Sequence, residues 1–262
     1  IAGGTPPDVV SAVWLHQLVS MAARDGLMAL TAYADRDGIT GDPYFPNLWD
    51  AWHWKGDLWG LAITANSNVI AYRKDLYREV GLDPEDPPDT IPELDEAAMK
   101  LDKFDEDGNI VRYGLYPGYL FWWGNVFGGT FFDEEAGEIT ANDEPIVAAL
   151  EWMRGYAERL DPAKVAAFQQ GFGDYMSPQN AFFVGKEAMT QVGEWFISFV
   201  DKFAPGLEYD FMPAPIPEGG REMCTTFGGS IFTIPNGVKD PDVSWEFIKF
   251  LSEDENMGEF CY

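Results

Sequence analysis

Histidine, cysteine and basic residues are scarce in this chain of 262 residues, which has two histidines, two cysteines and 17 Lys plus Arg against 44 Asp plus Glu. With only His16, His53, Cys224 and Cys261, and no CxxC spacing, no metal site of the zinc type is expected. Pairing of Cys224 with Cys261 needs their Cα atoms within about 7 Å, which sequence does not fix. The formal net charge of -27 repels nucleic acid and anionic membranes, and no Lys/Arg stripe with interleaved aromatics counters it. No nucleic-acid partner is therefore expected. Only Arg24, Arg36 and Lys55 are basic among the first 72 residues, which argues against phosphate binding. No run of 18 apolar residues is present, so no membrane span is expected. The start, Ile1-Ala2-Gly3-Gly4, has no leader pattern and reads as that of a processed or truncated product.

Catalytic signatures are also missing. There is no GxSxG elbow, P-loop, HExxH or dinucleotide fingerprint, so no catalytic residue or cofactor is expected. Two carboxylates about 5–9.5 Å apart suffice for glycoside hydrolysis, which stays open as an alternative, with Glu194 beside Trp195 the best acid.

Aromatics, by contrast, are plentiful: 15% of the chain, with ten Trp and nineteen Phe, inside an apolar fraction of 46%. The length suits one large domain or two lobes, each with its own core. Strand and helix patterns alternate, which predicts an α/β architecture with mainly parallel sheets. The spacing predicts a strand at Pro7–Val10, a helix from Ala12 to Arg24, and a loop over residues 33–47. Strands follow at Leu58–Ile63 and Asn68–Tyr72, then a helix from near Lys74. Thr90-Ile91-Pro92-Glu93 is a capping box that opens a helix. Asp105-Glu106-Asp107-Gly108-Asn109 places its glycine too early for a calcium loop and reads as a hairpin turn. Asp240-Pro241 opens a late helix with Val243, Phe247, Phe250 and Leu251 inward.

The most informative stretch runs from Ser177 to Phe196. A short helix is expected from Ser177-Pro178 to Gly185, then an apolar strand from Ala188 to Val192. The glycine after it delivers Trp195 to a strand end, where open α/β sheets build ligand crevices. Aromatic plates and small polar groups together suit sugars, whose rings have apolar C–H faces and whose rims carry hydroxyls. Trp14, Tyr119, Trp122, Trp123 and Trp195 are candidates for stacking; Gln17, Asn66, Asn68 and Glu194 for hydroxyl bonding; Gly229 completes the ligand-binding set. Core packing is the competing reading for each tryptophan taken singly.

Several stretches in order resemble the extracellular solute-binding proteins of ABC transporters, in the sugar-binding group that includes maltose-binding protein. They are Pro7-Asp8-Val9-Val10, Gly26–Leu30, Gly56-Asp57-Leu58-Trp59-Gly60-Leu61, Ala71–Tyr77, Gly81-Leu82, Pro88-Asp89-Thr90, Phe182–Trp195 (F-x-x-G-K-x-A-M, then G-x-W) and Trp245–Leu251. The resemblance implies a two-lobed periplasmic-binding-protein-like fold (type II), with lobes joined by crossing hinge strands and a ligand cleft between them. Carried onto this chain, lobe 1 is expected at residues 1–65 plus 218–262, with the family's first strand and helix outside the residues given. Lobe 2 is expected at residues 66–217, with its C-terminal helices likewise outside them. Trp195 and Trp14 fall where the family stacks on sugar, Gln17 and Asn66 at polar contacts, and Tyr119 at an aromatic contact of the second lobe. Maltose-binding protein has a carboxylate where Gln17 and Asn66 stand, so its ligand does not transfer.

The implied function is the binding component of an ABC importer, a monomer that takes a carbohydrate, closes about its hinge and hands the ligand to permease subunits. Its implied location is extracellular or periplasmic, with lipid anchoring of the full-length protein one form of this. Capture of a cationic solute such as a polyamine is the alternative within binding proteins. The acidity itself fits a salty habitat, a solvated surface or attraction for cations. At this charge, self-repulsion opposes the compact state and salt screens it. Raising NaCl from about 0.05 to about 1 M is expected to stabilise the chain by about 1 kcal/mol, read as roughly 2–4 °C in Tm by circular dichroism. A flat or falling Tm contradicts this.

Overall fold

The computed structural model describes residues 4–133, 135–222, 225 and 227–261, so Cys224, and with it any disulfide to Cys261, lies outside the described residues. The elements begin β1 (Val10–Trp14), α1 (Leu15–Ala22), α2 (Thr31–Asp37), α3 (Pro46–Ala51), β2 (His53–Trp54), β3 (Asp57–Leu58), β4 (Leu61–Arg73) and α4 (Lys74–Glu79). They continue α5 (Ile91–Leu101), β5 (Lys103–Phe104), β6 (Ile110–Arg112), α6 (Leu120–Val126), β7 (Phe132–Asp133), β8 (Glu138–Ile139), α7 (Glu144–Leu160) and α8 (Pro162–Gln169). Then come β9 (Met189–Gly193), α9 (Phe196–Phe203), β10 (Tyr209–Met212), β11 (Phe227–Thr233), α10 (Pro241–Leu251) and α11 (Asp254–Cys261). The chain divides into two compact units, one of Ile1–Asn66 with Phe227–Tyr262 and one of Ser67–Thr226. Among the described residues, no helix is long and apolar enough to cross a membrane.

In the first unit β1 pairs antiparallel with β11, Val13 opposite Ile231 and Trp14 opposite Ser230, and β11 lies beside β4. The helix expected from Ala12 starts only at Leu15, because Val13 and Trp14 stay extended to pair with β11 past an irregularity at Ala12 (φ 57°). Helix α2 occupies part of the expected loop. Leu30 and Ala34 join the core there, and Gly38 at φ 69° stops the helix in the left-handed conformation that glycine tolerates. Leu18, Leu27, Leu58, Leu61, Ile231 and Trp245 centre that core. Helix α10 buries Ser244, Trp245 and Ile248, while Val243, Phe247 and Phe250, expected inward, are more than half exposed. Its rotation is set by Asp37: Trp245 Nε1 donates to Oδ2 at 2.7 Å and Lys249 Nζ at 3.0 Å. The Arg36 guanidinium, then these two donors, hold the Asp37 carboxyl far below the usual carboxylate range.

In the second unit β4 pairs antiparallel with β9 on one side and β10 on the other. Mainly parallel sheets were expected, and this is corrected: β1–β11, β2–β3, β4–β9, β4–β10, β5–β6 and β7–β8 all pair antiparallel, and parallel pairing occurs at isolated bridges such as Thr90–Ile216 and Tyr113–Glu187. Alternation of strands and helices fixes element order, not strand direction. The two strands expected at residues 58–63 and 68–72 are instead joined within one continuous 13-residue strand, β4. Ile70 and Tyr72 face the larger core and Ala71 the smaller, as the two-residue period requires. The Thr90 capping box forms, with Glu93 N donating to Thr90 Oγ1 (3.4 Å) and Thr90 N to Glu93 Oε2 (3.0 Å). Asp105 closes the expected hairpin turn by accepting from the backbone N–H groups of Asp107 and Asn109.

The short helix expected from Ser177 to Gly185 is a run of turns. Asn180 Oδ1 accepts from Phe182 N at 3.0 Å, and the N–H groups of Lys186 and Glu187 both close onto the Ala181 carbonyl, which replaces the helical pattern with turns. Arg73 Nη1 donates to the carbonyls of Phe182 (2.7 Å) and Phe183 (3.0 Å) and clasps this segment. The same guanidinium grips Asp75 through Nε (2.8 Å) and Nη2 (2.6 Å). Burial pushes the Asp75 carboxyl up, but the bonds from Arg73 outweigh it and leave it lowered. Arg73 is buried, so its loss takes a donor from both carbonyls, leaving that of Phe182 only the Gly185 N–H, and leaves the Asp75 carboxylate without its partner. Arg73→Ala is expected to destabilise the protein by about 3 kcal/mol in urea denaturation; a loss under about 1 kcal/mol contradicts the clasp.

Candidate functional site

The β4–β9 ladder runs from Tyr72 opposite Met189 to Asn68 opposite Gly193. Beyond that last pair, Glu194 and Trp195 leave the strand, and Trp195 caps helix α9. Glu194 Oε2 accepts from the backbone N–H of Ser67 at 3.2 Å, so one carboxylate oxygen holds the strand end. Asn68 N donates to Thr225 Oγ1 at 2.9 Å, and that hydroxyl donates back to the Asn68 carbonyl. Asn68, Glu194 and Trp195 are therefore brought together at one end of the ladder. Trp195 is half-buried. Ser67 and Thr225 were not picked out from sequence, because their contacts here run through a backbone N–H and a hydroxyl bonded to a distant strand; Gly193 was read there only as the glycine that ends the strand before Trp195.

Tyr119 stands at the start of α6 with φ 56° and is 78% exposed. A left-handed backbone at a bulky residue is costly, and such strain gathers at functional sites. Trp122 and Trp123 behave otherwise. They are 1% and 0% exposed in the core of the second unit, packed on each other and on Trp152, with centroids 4.7 and 4.4 Å apart. The expectation that they stack on ligand is corrected, since their faces are covered by protein.

In the first unit Trp14 is 47% exposed at the end of β1, where it caps α1. Gln17 is exposed, and its Oε1 accepts from Trp14 N at 3.2 Å. A groove of ≈ 430 Å³ beside them is lined by Val10, Ser11, Ala12, Val13, Gln17 and Met21, among others. Asn66 is half-buried at the last position of β4 within this unit. Gly229 is buried, and a Cβ there would sit 2.2 Å from the carbonyl oxygen of Thr64. Its glycine is needed for the close approach of β11 to β4, a packing role that sequence did not reveal. Among the described residues no group of three or more His, Cys, Asp or Glu side chains is placed to hold a metal ion.

A second feature of the β9 segment is electrostatic. Glu187, just before the strand, bonds to the hydroxyls of Tyr113 and Thr190, and Gln169 Nε2 donates to the Tyr113 hydroxyl at 3.2 Å. Burial pushes the Glu187 carboxyl up to about 7 despite those bonds.

The chain belongs to the bacterial extracellular solute-binding protein family, whose model matches residues 1–258. Its fold is the two-lobed one of periplasmic solute-binding proteins. It is 26% identical over 264 aligned residues to the sn-glycerol-3-phosphate-binding periplasmic protein UgpB of Rhizobium meliloti, covering 95% of this chain and 59% of that one. Among solved structures it is similar to CpMnBP1 with mannobiose bound, at 28% identity and TM-score 0.90, covering 98% of this chain and 65% of that one. The maltose-bound MalE3 of T. maritima shares the fold at 22% identity and TM-score 0.76, with 98% and 65% covered. The chain thus spans about three-fifths to two-thirds of the length of these relatives.

The raised Glu187 carboxyl has a consequence for stability. The folded state holds its proton more tightly than the unfolded state, so the stability it contributes is present below about pH 4.5 and lost as pH rises through about 7. Glu187→Gln is expected to be more stable than the parent at pH 8 relative to pH 4.5, measured by urea denaturation at both values. An unchanged pH dependence contradicts a buried, proton-holding carboxyl.

Proposed function

We propose that this chain is the ligand-binding part of an ABC importer's extracellular or periplasmic receptor, and that its ligand is a carbohydrate of oligosaccharide size. The observation that carries this reading is the half-buried Trp195, fixed at the end of β9 beside Asn68 and Glu194, in a chain that superposes on a mannobiose-bound protein at TM-score 0.90. A flat ring supplies a face for the C–H side of a pyranose, and amide and carboxylate groups around it accept from hydroxyls. Trp14 and Tyr119 are proposed as further stacking residues, and Gln17 and Asn66 as hydroxyl partners. The free energy of binding comes from burying ring faces against each other, with polar groups setting which hydroxyl pattern is accepted. Handing the ligand to permease subunits, and acting as a monomer without catalysis, belong to the same proposal.

A second reading comes from the relatives named for sn-glycerol 3-phosphate. A phosphate dianion needs cationic or N–H donors. The side chains gathered at the β9 end are an amide, a carboxylate, a hydroxyl and an indole, in a chain of net charge -27, so carbohydrate is favoured. A cationic ligand is not favoured by any of the relatives' names.

Calorimetry with mannobiose, mannotriose, maltose, spermidine and sn-glycerol 3-phosphate separates these readings. A disaccharide or trisaccharide is expected to bind without being consumed, and Trp195→Ala is expected to weaken it by roughly 2–4 kcal/mol with an unaltered circular dichroism spectrum. Binding of the phosphate ester or the polyamine alone, or unchanged affinity in the variant, overturns the proposal.

A further inference from the structure

We propose that Gly193 is a positioning residue for Trp195: the space left by its missing side chain is the seat of the indole, and a Cβ there re-aims the ring. The backbone around Trp195 is held at several points. Gly193 is paired with Asn68 across the ladder, and Glu194 is tied through its carboxylate to Ser67 N. On the other side Phe196 is 1% exposed, stacked on Phe183 at 5.3 Å and edge-on to Phe182 at 5.4 Å. With the main chain fixed before and after it, the indole keeps only its side-chain torsions. Those torsions lay the six-membered half of the ring over Gly193. A Cβ at Gly193 would lie 2.1 Å from Cζ3, 2.4 Å from Cη2 and 2.6 Å from Cε3.

Backbone conformation does not account for a glycine at this position. Gly193 is absent from the positive-φ positions of the chain and sits in regular strand pairing, which any residue can adopt. The ring is what excludes a side chain. The obstacle is the outer edge of a movable side chain, unlike Gly229, where the atom 2.2 Å away is the backbone carbonyl oxygen of Thr64. Alanine at 193 therefore leaves the ladder formed and displaces the ring. The consequence for ligand choice rests on the reading of Trp195 as the stacking residue; the consequence for the ring's position rests on the contacts alone. On that reading Gly193 determines specificity, because the tilt of the plate decides which face of a pyranose lies flat on it.

The test compares the parent, Gly193→Ala, Trp195→Ala and the double variant, each as the intact chain. The indole N–H resonance of Trp195 is assigned by its loss in Trp195→Ala, and mannobiose affinity is measured by calorimetry. Gly193→Ala is expected to move that resonance, and to weaken mannobiose about tenfold or more when Trp195 is present but less than about twofold when it is not. An unmoved resonance, or the same loss in both backgrounds, overturns the inference. If Gly193→Ala melts early, the double variant is expected to restore the melting temperature, since the clash is with the indole; failure to restore it counts against the inference. A parent that binds no mannobiose refutes the carbohydrate reading for that ligand, and the resonance still decides the role of Gly193.

Discussion

Five consecutive backbone pairs between β4 and β9, from Asn68–Gly193 to Tyr72–Met189, govern the placement of everything at the candidate site. Slipping that register by one residue would send each side chain of β9 to the opposite face and unseat both cores that meet on the strand. The ladder is guarded at both ends. Arg73 clasps the turn that precedes β9, and Glu194 reaches back to Ser67 where β4 enters the second unit. What lies beyond the ladder, an indole held at a strand end, inherits its position from these backbone bonds. Function here is downstream of register.

The use of positive charge fits the same picture. In a chain so short of Lys and Arg, several cations are spent inside the fold. Arg73 binds two carbonyls and Asp75. Arg112 is buried between the Leu101 carbonyl (2.9 Å) and Glu79 (2.8 Å), and Arg159 pairs with Asp102. Such pairs cost desolvation and repay it only with full hydrogen bonding, which the carbonyl partners of Arg73 and Arg112 help provide. The cations are thereby committed to structure, while the β9 end presents neutral and acidic acceptors. That division suits a neutral polyol better than an anion.

Much of this was legible in the sequence where local chemistry decides the outcome. The Thr90 capping box, the Asp105 hairpin turn, the Asp240 cap and the strand that ends before Trp195 each follow from residues within a few positions of one another. Misreadings arose where a distant partner decides. The turns that stand in place of the helix expected before Gly185 are clasped by Arg73, more than 100 residues earlier, and α10 takes its rotation from Asp37. Trp122 and Trp123 could not be separated from exposed tryptophans by composition, since only packing on Trp152 shows that their faces are used. Gly193 and Gly229 look alike in sequence, yet one makes room for a ring and the other for a strand. Family motifs located the segment, and the contacts supplied the reason for each residue in it.

The central claim is that the Trp195 indole, seated on Gly193, offers its open face to a pyranose. The most direct measurement is a crystal structure of the chain grown with mannobiose. The account requires a sugar ring lying parallel to the indole at about van der Waals distance, roughly 3.5–4 Å, with Gly193 behind the plate. Sugar bound away from Trp195, or an indole turned off Gly193 in the complex, would contradict it.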